Sequence, residues 1–170
     1  ALTDFARSKL VSAGLPDERM EVKPNFLPEP PKTATEHGRY IIFVGRLMRE
    51  KGLWPLLDAW EYLPDVRLLI VGDGPDGKAL AEKSGQAGLR IEFLGNMPKP
   101  KVIELVQGAA ALIVPSLWYE GFPMVIAEAY ACGTAVLSSR LGSLDEVVVE
   151  WKTGLKFEPG NPQSIASTVR

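Results

Sequence analysis

Two acidic residues, Glu120 and Glu128, frame a segment whose residue types suit the binding of a phosphorylated ligand. Between them, Gly121 and Pro123 are typical of a turn that opens a helix, with Pro123 expected at the first helical position. The free amides of a helix N-terminus attract anions. Glu120 would lie in the loop beside that anion site, and Glu128 about one and a half turns into the helix. Two acceptors beside an anion pocket suit a ligand with phosphate and hydroxyl groups, such as a nucleotide sugar.

Two cations, Arg46 and Lys51, share one loop between a strand run at 40–44 and a helical repeat at 53–60. Arg can bind phosphate oxygens through two nitrogens at once, and Lys supplies a point charge. The pair would therefore suit a diphosphate at the start of the following helix. The alternative is that both are solvated loop cations, as most surface Lys and Arg residues are.

The loop Gly72–Gly77 meets the register of a dinucleotide fingerprint, with glycines at 72, 74 and 77. However, Asp73 and Asp76 crowd a loop that would have to receive a pyrophosphate, so a plain turn between a strand and a helix is favoured. An oxidoreductase that uses a dinucleotide is correspondingly disfavoured. The same two aspartates are weak metal ligands, and no metal site is expected.

Three further features could contribute to a pocket. Asn96 and Met97 end another strand run, and their backbone could grip a planar base, although a tight turn explains them as well. Trp118 and Tyr119 precede Glu120 and could belong either to the core or to a pocket wall. The only histidine, His37, is expected to be a solvated loop residue, which removes histidine-based catalysis.

Composition places the chain among ordinary globular proteins. It has 170 residues, of which 46% are hydrophobic and 24% charged, enough for one compact domain with a real core. No apolar run is long enough to span a bilayer, and the first residues do not form a signal peptide. A net charge of −2 gives no reason to expect nucleic-acid binding. The single cysteine, Cys132, excludes an internal disulfide and fits a small packing residue in a reducing cytoplasm.

Apolar strand runs alternate with helical repeats along most of the chain. Strands are predicted near 21–23, 40–44, 66–71, 90–94, 111–114, 134–137 and 154–157. Helices are predicted near 3–13, 53–60, 76–86, 102–109 and 144–149, and from 123 and 161 onward. Strands buried on both faces indicate a mainly parallel sheet between two helical layers. We therefore expect an α/β, Rossmann-like three-layer domain over 38–170, preceded over 1–37 by a helix, a short strand and a Pro-rich loop at the domain edge.

Several sequence blocks together resemble the group 1 retaining glycosyltransferases of GT-B fold. They are, in the family's order, VGR at 44–46, EKG at 50–52, VGDGP at 71–75, FLG at 93–95, the stretch from Pro115-Ser116 through EGFP and EA to ACG at 115–133, and TGL at 153–155. The resemblance runs from about residue 21 to residue 170. It covers only the carboxyl-terminal, donor-binding half of that fold.

The resemblance implies a role for each candidate residue. Arg46 and Lys51 would hold the donor diphosphate and stabilise the leaving group, and Glu120 would bind the donor sugar near its reacting face. Glu128 would bind the ribose hydroxyls. The remaining donor-binding residues would contact phosphate, sugar and base: Gly45, Asn96, Met97, Gly121, Phe122, Pro123, Met124 and Val125.

The resemblance also implies partners. The donor is a nucleoside diphosphate sugar, no cofactor or metal is expected, and transfer with retention would require a missing amino-terminal domain that supplies the acceptor pocket. The family's histidine near the anomeric carbon is not represented by His37, and Asn25 lacks the glycine that commonly follows it. The expected location is cytoplasmic, and peripheral association of the full-length protein with the inner membrane face stays open. The alternative function is a non-catalytic nucleotide-binding or regulatory module.

Overall fold

The computed structural model describes residues 1–31, 33 and 38–170. Its strands are β1 Tyr40–Val44, β2 Arg67–Val71, β3 Ile91–Gly95, β4 Ala111–Val114, β5 Ala135–Ser139 and β6 Gly154–Phe157. They form one sheet in the order β3-β2-β1-β4-β5-β6, and every neighbouring pair is parallel. The sheet is doubly wound, which confirms the Rossmann-like, mainly parallel fold class that the sequence predicts. The strand order reverses between β1 and β4, so the cleft of such a sheet opens at their carboxyl ends.

Helices cover both faces of the sheet. They are α1 Asp4–Ser12, α2 Leu53–Trp60, α3 Gly77–Gln86, α4 Lys99–Gln107, α5 Met124–Cys132, α6 Ser143–Val147 and α7 Pro162–Val169. Buried residues of α2, α3 and α7 pack in one apolar cluster, whereas those of α4, α5 and α6 pack in another. The sheet separates the two clusters, which gives the expected three layers.

The strands are apolar along their length because both faces are covered. In β1, Ile41 and Phe43 join the cluster under α2, whereas Ile42 joins the cluster under α5. β2 divides in the same way, with Leu68 on the first side and Leu69 on the second. Successive strand residues point to opposite faces, so a strand between two helical layers needs apolar residues at every position.

The predicted short strand near 21–23 is wrong, because these residues belong to no strand. Instead, the Lys23 amide donates to the Ala1 carbonyl at 2.8 Å, and the Ala1 amino group donates to the Glu21 carbonyl at 2.7 Å. Pro24 follows directly and has no N–H with which to extend the pairing.

The first helix packs against the carboxyl edge of the sheet. Thr3 Oγ1 lies 2.8 Å from Ser143 Oγ, and the Glu146 carboxylate accepts hydrogen bonds from the amides of Asp4 and Phe5 at 3.0 and 2.8 Å. Glu146 thus satisfies two amides that the first turn of α1 leaves unpaired. The Phe5 ring lies 4.9 Å from the ring of Tyr119, next to the loop that carries Glu120.

Candidate functional site

The loop after β1 and the loop after β4 meet at the carboxyl edge. Gly52 has a φ of 72°, and a Cβ at this position would lie 1.8 Å from the Pro115 carbonyl oxygen. Only glycine combines the left-handed conformation with so close an approach. The Leu117 amide also donates to the Glu50 carbonyl at 2.8 Å. The two loops are therefore held together on either side of Lys51.

Lys51 and Glu120 form an ion pair across this junction. Lys51 Nζ lies 2.6 Å from Glu120 Oε1, and Ser116 Oγ donates to the same oxygen at 2.6 Å. Both side chains are partly buried, with 30% of Lys51 and 17% of Glu120 exposed. The structure thus brings together two residues that the sequence assigned to separate parts of a ligand. Ser116 fixes the carboxylate but was not predicted, since only the folded loop brings its hydroxyl to Glu120.

A small cavity opens beside this ion pair. It has a volume of about 260 Å³ and is lined by Met48, Glu50, Lys51, Trp118 and Glu120. Trp118 is therefore a pocket wall and not a core residue, and 68% of its surface is exposed.

Arg46 lies at the end of β1, next to Gly45, whose amide donates to the Val71 carbonyl at 3.0 Å. The guanidinium is exposed and makes no hydrogen bond or ion pair with any residue in the described ranges. The backbone next to Arg46 is therefore held in place, and the Arg46 guanidinium is available to a ligand.

Glu128 is a buried carboxylate on α5. Only 5% of its side chain is exposed, and its Oε1 pairs directly with Lys99 Nζ from the start of α4. A buried charge requires a partner. The burial rules out a solvated helix face for Glu128. Lys99 was missed, because it is separated from Glu128 by 29 positions and no periodicity links them.

Glu128 also affects the pKa of Cys132, which lies one turn further along α5. The Cys132 thiol is fully buried, and burial raises its pKa, with a further contribution from the Glu128 carboxylate. A neutral, buried thiol agrees with the expected packing role.

The segment before α5 exposes main-chain amides. α5 begins at Met124, and Pro123 takes the N-cap position with φ −61° and ψ 125°, so the expected placement of Pro123 at the first helical position is wrong by one residue. Within the described part of the chain, the amides of Met124 and Val125 donate no hydrogen bond. The same is true of Gly121.

The Phe122 carbonyl is held from the opposite side of the segment. It accepts a hydrogen bond from Asn25 Nδ2 at 2.8 Å. Asn25 therefore ties the N-terminal segment to the turn that precedes α5. The sequence singles out Asn25 but does not predict this contact.

Asn96 and Met97 follow β3. Asn96 is exposed, whereas Met97 is partly buried and packs against the apolar cluster of α4 and α5. Lys99, two residues after Met97 and the first residue of α4, pairs with Glu128. Met97 therefore lies on the α5 side of the sheet, and Asn96 precedes it as an exposed residue.

The glycine-rich loop after β2 packs against the loop after β1. A Cβ at Gly72 would lie 2.0 Å from the Gly45 carbonyl oxygen, and one at Gly74 would lie 2.3 Å from the Leu47 carbonyl oxygen. Asp76 accepts a hydrogen bond from the Trp54 indole at 3.0 Å. These glycines serve close loop packing, which agrees with a plain turn.

The described residues contain neither a metal-binding cluster nor a membrane-spanning helix. In these ranges, no group of three or more His, Cys, Asp or Glu is placed to hold a metal ion. No described helix has both the length and the apolar character needed to cross a bilayer. His37 lies outside the described residues.

Comparison with known proteins places this geometry in a family. Residues 28–170 match the family described as glycosyl transferases group 1. The chain is 36% identical over 124 residues to α-maltose-1-phosphate synthase of Mycolicibacterium smegmatis, covering 68% of this chain and 32% of that protein. It is 37% identical over 145 residues to D-inositol 3-phosphate glycosyltransferase of Corynebacterium urealyticum, covering 77% of this chain and 34% of that protein.

The fold is also shared with solved structures. Anabaena HepE in complex with UDP and glucose matches with a TM-score of 0.86 at 24% identity, over 99% of this chain and 51% of that one. The chain thus spans about a third of the length of these curated relatives and about half of this structure. The family match covers most of the chain, including the loops that carry Arg46, Lys51, Glu120 and Glu128. The chain therefore belongs to the group 1 glycosyl transferases.

Proposed function

We propose that this chain forms the donor-binding part of a retaining glycosyltransferase. Joined to a preceding amino-terminal domain, it transfers a sugar from a nucleoside diphosphate sugar to an acceptor. The observation that carries the proposal is the Lys51–Glu120 ion pair, which bridges the loops after β1 and β4 where the strand order reverses. Ligands of open α/β sheets bind at that point.

In this proposal, the diphosphate lies against Arg46, Lys51 and the amides of Met124 and Val125. Arg46 has no partner among the described residues, and the two amides are unpaired, so none of these donors loses a bond when phosphate binds. Cations placed beside the departing diphosphate stabilise the charge that develops in the transition state. We propose that these groups supply that stabilisation without a metal.

Glu128 binds the ribose hydroxyls. Its Oε1 is occupied by Lys99, whereas its Oε2 accepts no hydrogen bond from the described residues. One oxygen is thus fixed and the other is available to a ligand. In this proposal Asn96 and Met97, in the loop between β3 and α4, contact the base.

Glu120 contacts the donor sugar. Ser116 and Lys51 both hold Oε1, which leaves Oε2 without a hydrogen bond from the described residues. The adjacent cavity has an indole wall, Trp118, that suits the apolar face of a sugar ring.

The preceding domain covers the apolar surface beside this cavity. Four large hydrophobic residues are exposed at this edge, with 40% to 68% of their surface accessible: Leu117, Trp118, Tyr119 and Met124. Grouped apolar exposure of this kind is typical of an interaction surface. The greater length of the relatives is consistent with a further domain in the whole protein.

A transfer assay tests the proposal. Positioning of an acceptor against the donor can supply roughly 7–11 kcal/mol of the barrier, so this chain alone should bind a nucleotide sugar but transfer nothing. The full-length protein should glycosylate an acceptor with retention of anomeric configuration, and NMR of the product measures that configuration. Transfer by this chain alone at the rate of the full-length protein would contradict the two-domain account. Donor binding by the full-length protein with neither transfer nor hydrolysis would favour a regulatory module.

A further inference from the structure

Trp151 has a backbone conformation that the fold does not explain. Among the described residues it is the only non-glycine residue with a positive φ, which is 62°. Bulky side chains are disfavoured in this left-handed region, where glycine is free of strain. Burial offers no compensation, since 85% of Trp151 is exposed. Residues held in such conformations cluster at functional sites.

The turn that carries Trp151 is firmly bonded. The Trp151 amide donates to the Gly154 carbonyl at 3.0 Å, and the Thr153 amide donates to the Val149 carbonyl at 2.9 Å. Thr153 Oγ1 accepts from the Val149 amide at 2.9 Å and lies 3.0 Å from the Tyr130 hydroxyl. These hydrogen bonds hold the backbone at Trp151, so a ligand that contacts the indole does not have to order the turn.

Trp151 forms one wall of an open cavity in the described part of the chain. Its volume is about 560 Å³, and its lining includes Tyr130, Thr134, Lys152, Thr153 and Leu155. The cavity lies where β5 and β6 begin, whereas Lys51 and Glu120 lie beyond the strand ends. Strands of this length separate the two edges by about 15 Å. The cavity is therefore distinct from the candidate donor site.

The lining suits a neutral ring with one apolar face. We propose that this cavity binds a pyranose ring of a carbohydrate chain, with its C–H face against the Trp151 indole and its hydroxyls toward Lys152 and the exposed main chain. A nucleobase also stacks on indole, but its phosphates would need several cations, and among the described residues that line the cavity Lys152 is the only cation. Insertion into a membrane is disfavoured because one Trp and one exposed Val supply little apolar surface. The proposal does not depend on the donor-site function.

NMR of the indole N–H groups tests this proposal. The chain has four tryptophans, and the signal missing from the Trp151→Gly variant identifies Trp151. Titration of the chain with maltohexaose, cellohexaose and chitohexaose should shift the Trp151 signal in a saturable way for at least one of the three. Trp151→Gly should weaken that binding by roughly tenfold or more. Phe26→Ala, which also removes an exposed aromatic ring, should leave it unchanged.

The stability of the same variants provides a second readout. Because glycine and asparagine tolerate positive φ, Trp151→Gly and Trp151→Asn should have urea midpoints equal to or above that of the wild type. Loss of sugar binding together with retained or raised stability supports the proposal. A Trp151 signal that no oligosaccharide shifts would overturn it. So would a shift caused only by uridine or by vesicles of anionic phospholipid, or sugar binding that Trp151→Gly leaves intact.

Discussion

Lys51 Nζ lies 2.6 Å from Glu120 Oε1, and this contact joins the loop after β1 to the loop after β4. A lysine shared between a protein carboxylate and a ligand phosphate is held in place before the ligand arrives. Because Ser116 also donates to Glu120, the carboxylate keeps one partner if Lys51 moves toward phosphate. The ion pair thus orders the site without blocking it.

Loss of the Lys51 ammonium should weaken binding of a nucleoside diphosphate by about ten- to a hundredfold, since a charge-assisted contact contributes roughly 1.5–3 kcal/mol. Calorimetry of Lys51→Ala with the diphosphate and with the parent nucleoside measures this effect. The nucleoside should bind the variant and the wild type alike. Equal losses for both ligands would remove Lys51 from the phosphate site.

Glu128→Gln should erode discrimination between ribose and 2′-deoxyribose nucleotides, because a carboxylate accepts from both hydroxyls better than an amide does. The ratio of the two Kd values measures the effect. Glu82→Gln, on the exposed surface of α3, is the matched control and should leave the ratio unchanged. Equal affinity of the wild type for both sugars would make Glu128 a structural partner of Lys99 only.

Substitution of two glycines distinguishes the stability cost of a strained backbone conformation from that of a steric clash. Gly52 and Gly88 have φ of 72° and 62°, but a Cβ at Gly52 would lie 1.8 Å from the Pro115 carbonyl oxygen, whereas one at Gly88 meets nothing within 4 Å. Gly88→Ala should cost about 1–2 kcal/mol of unfolding free energy. Gly52→Ala should cost more and should also weaken nucleotide binding, because the two loops must separate. Urea unfolding of both variants checks this, and equal costs would contradict the close approach.

Asn25→Ala should loosen the turn before α5. The Phe122 carbonyl would lose its donor, which should cost about 1 kcal/mol, and exchange of the Ile126 amide, which donates to the Pro123 carbonyl at 3.0 Å, should accelerate. Hydrogen exchange read by mass spectrometry measures this. Phe26→Ala, an exposed neighbour, is the control. Unchanged exchange in Asn25→Ala would show that the turn is held without Asn25.

Stability should fall at alkaline pH partly because of Cys132. Burial raises its pKa above the ordinary 9.0 in the folded chain. As the pH rises through about 9, the unfolded chain therefore releases a proton that the folded chain retains, and the unfolding free energy decreases by at most about 1.4 kcal/mol per pH unit. Cys132→Ala should flatten this slope between pH 8 and 10 in urea titrations. An identical slope in the variant would show that the thiol does not contribute.

The sheet was predictable because each central strand is buried on both faces. For two of them, at 40–44 and 111–114, the predicted bounds agree with the observed ones. Local patterning of this kind depends on the chain alone. The strand expected near 21–23 is absent, since a local sequence pattern does not decide whether a partner strand is available.

The candidate site also has a part that local sequence patterns predict and a part that depends on packing. The sequence singles out Arg46, Lys51 and Glu120 because they lie in loops that follow predicted strands, and Glu128 because it is a carboxylate among apolar helix residues. Their roles stay predictions. Lys99 was missed because its contact with Glu128 depends on how α4 and α5 pack. Contacts between segments that are far apart in the sequence produce no periodic pattern of residues.

A calorimetric screen of UDP, GDP, ADP and their sugars tests the central claim most directly. It should be run on the wild type, on Arg46→Ala and on Lys78→Ala, whose exposed ammonium on α3 lies outside the site. The account predicts saturable binding of at least one nucleoside diphosphate to the wild type and to Lys78→Ala, and roughly ten- to a hundredfold weaker binding to Arg46→Ala. No binding of any of these ligands to the wild type, or binding that Arg46→Ala leaves unchanged, would contradict it.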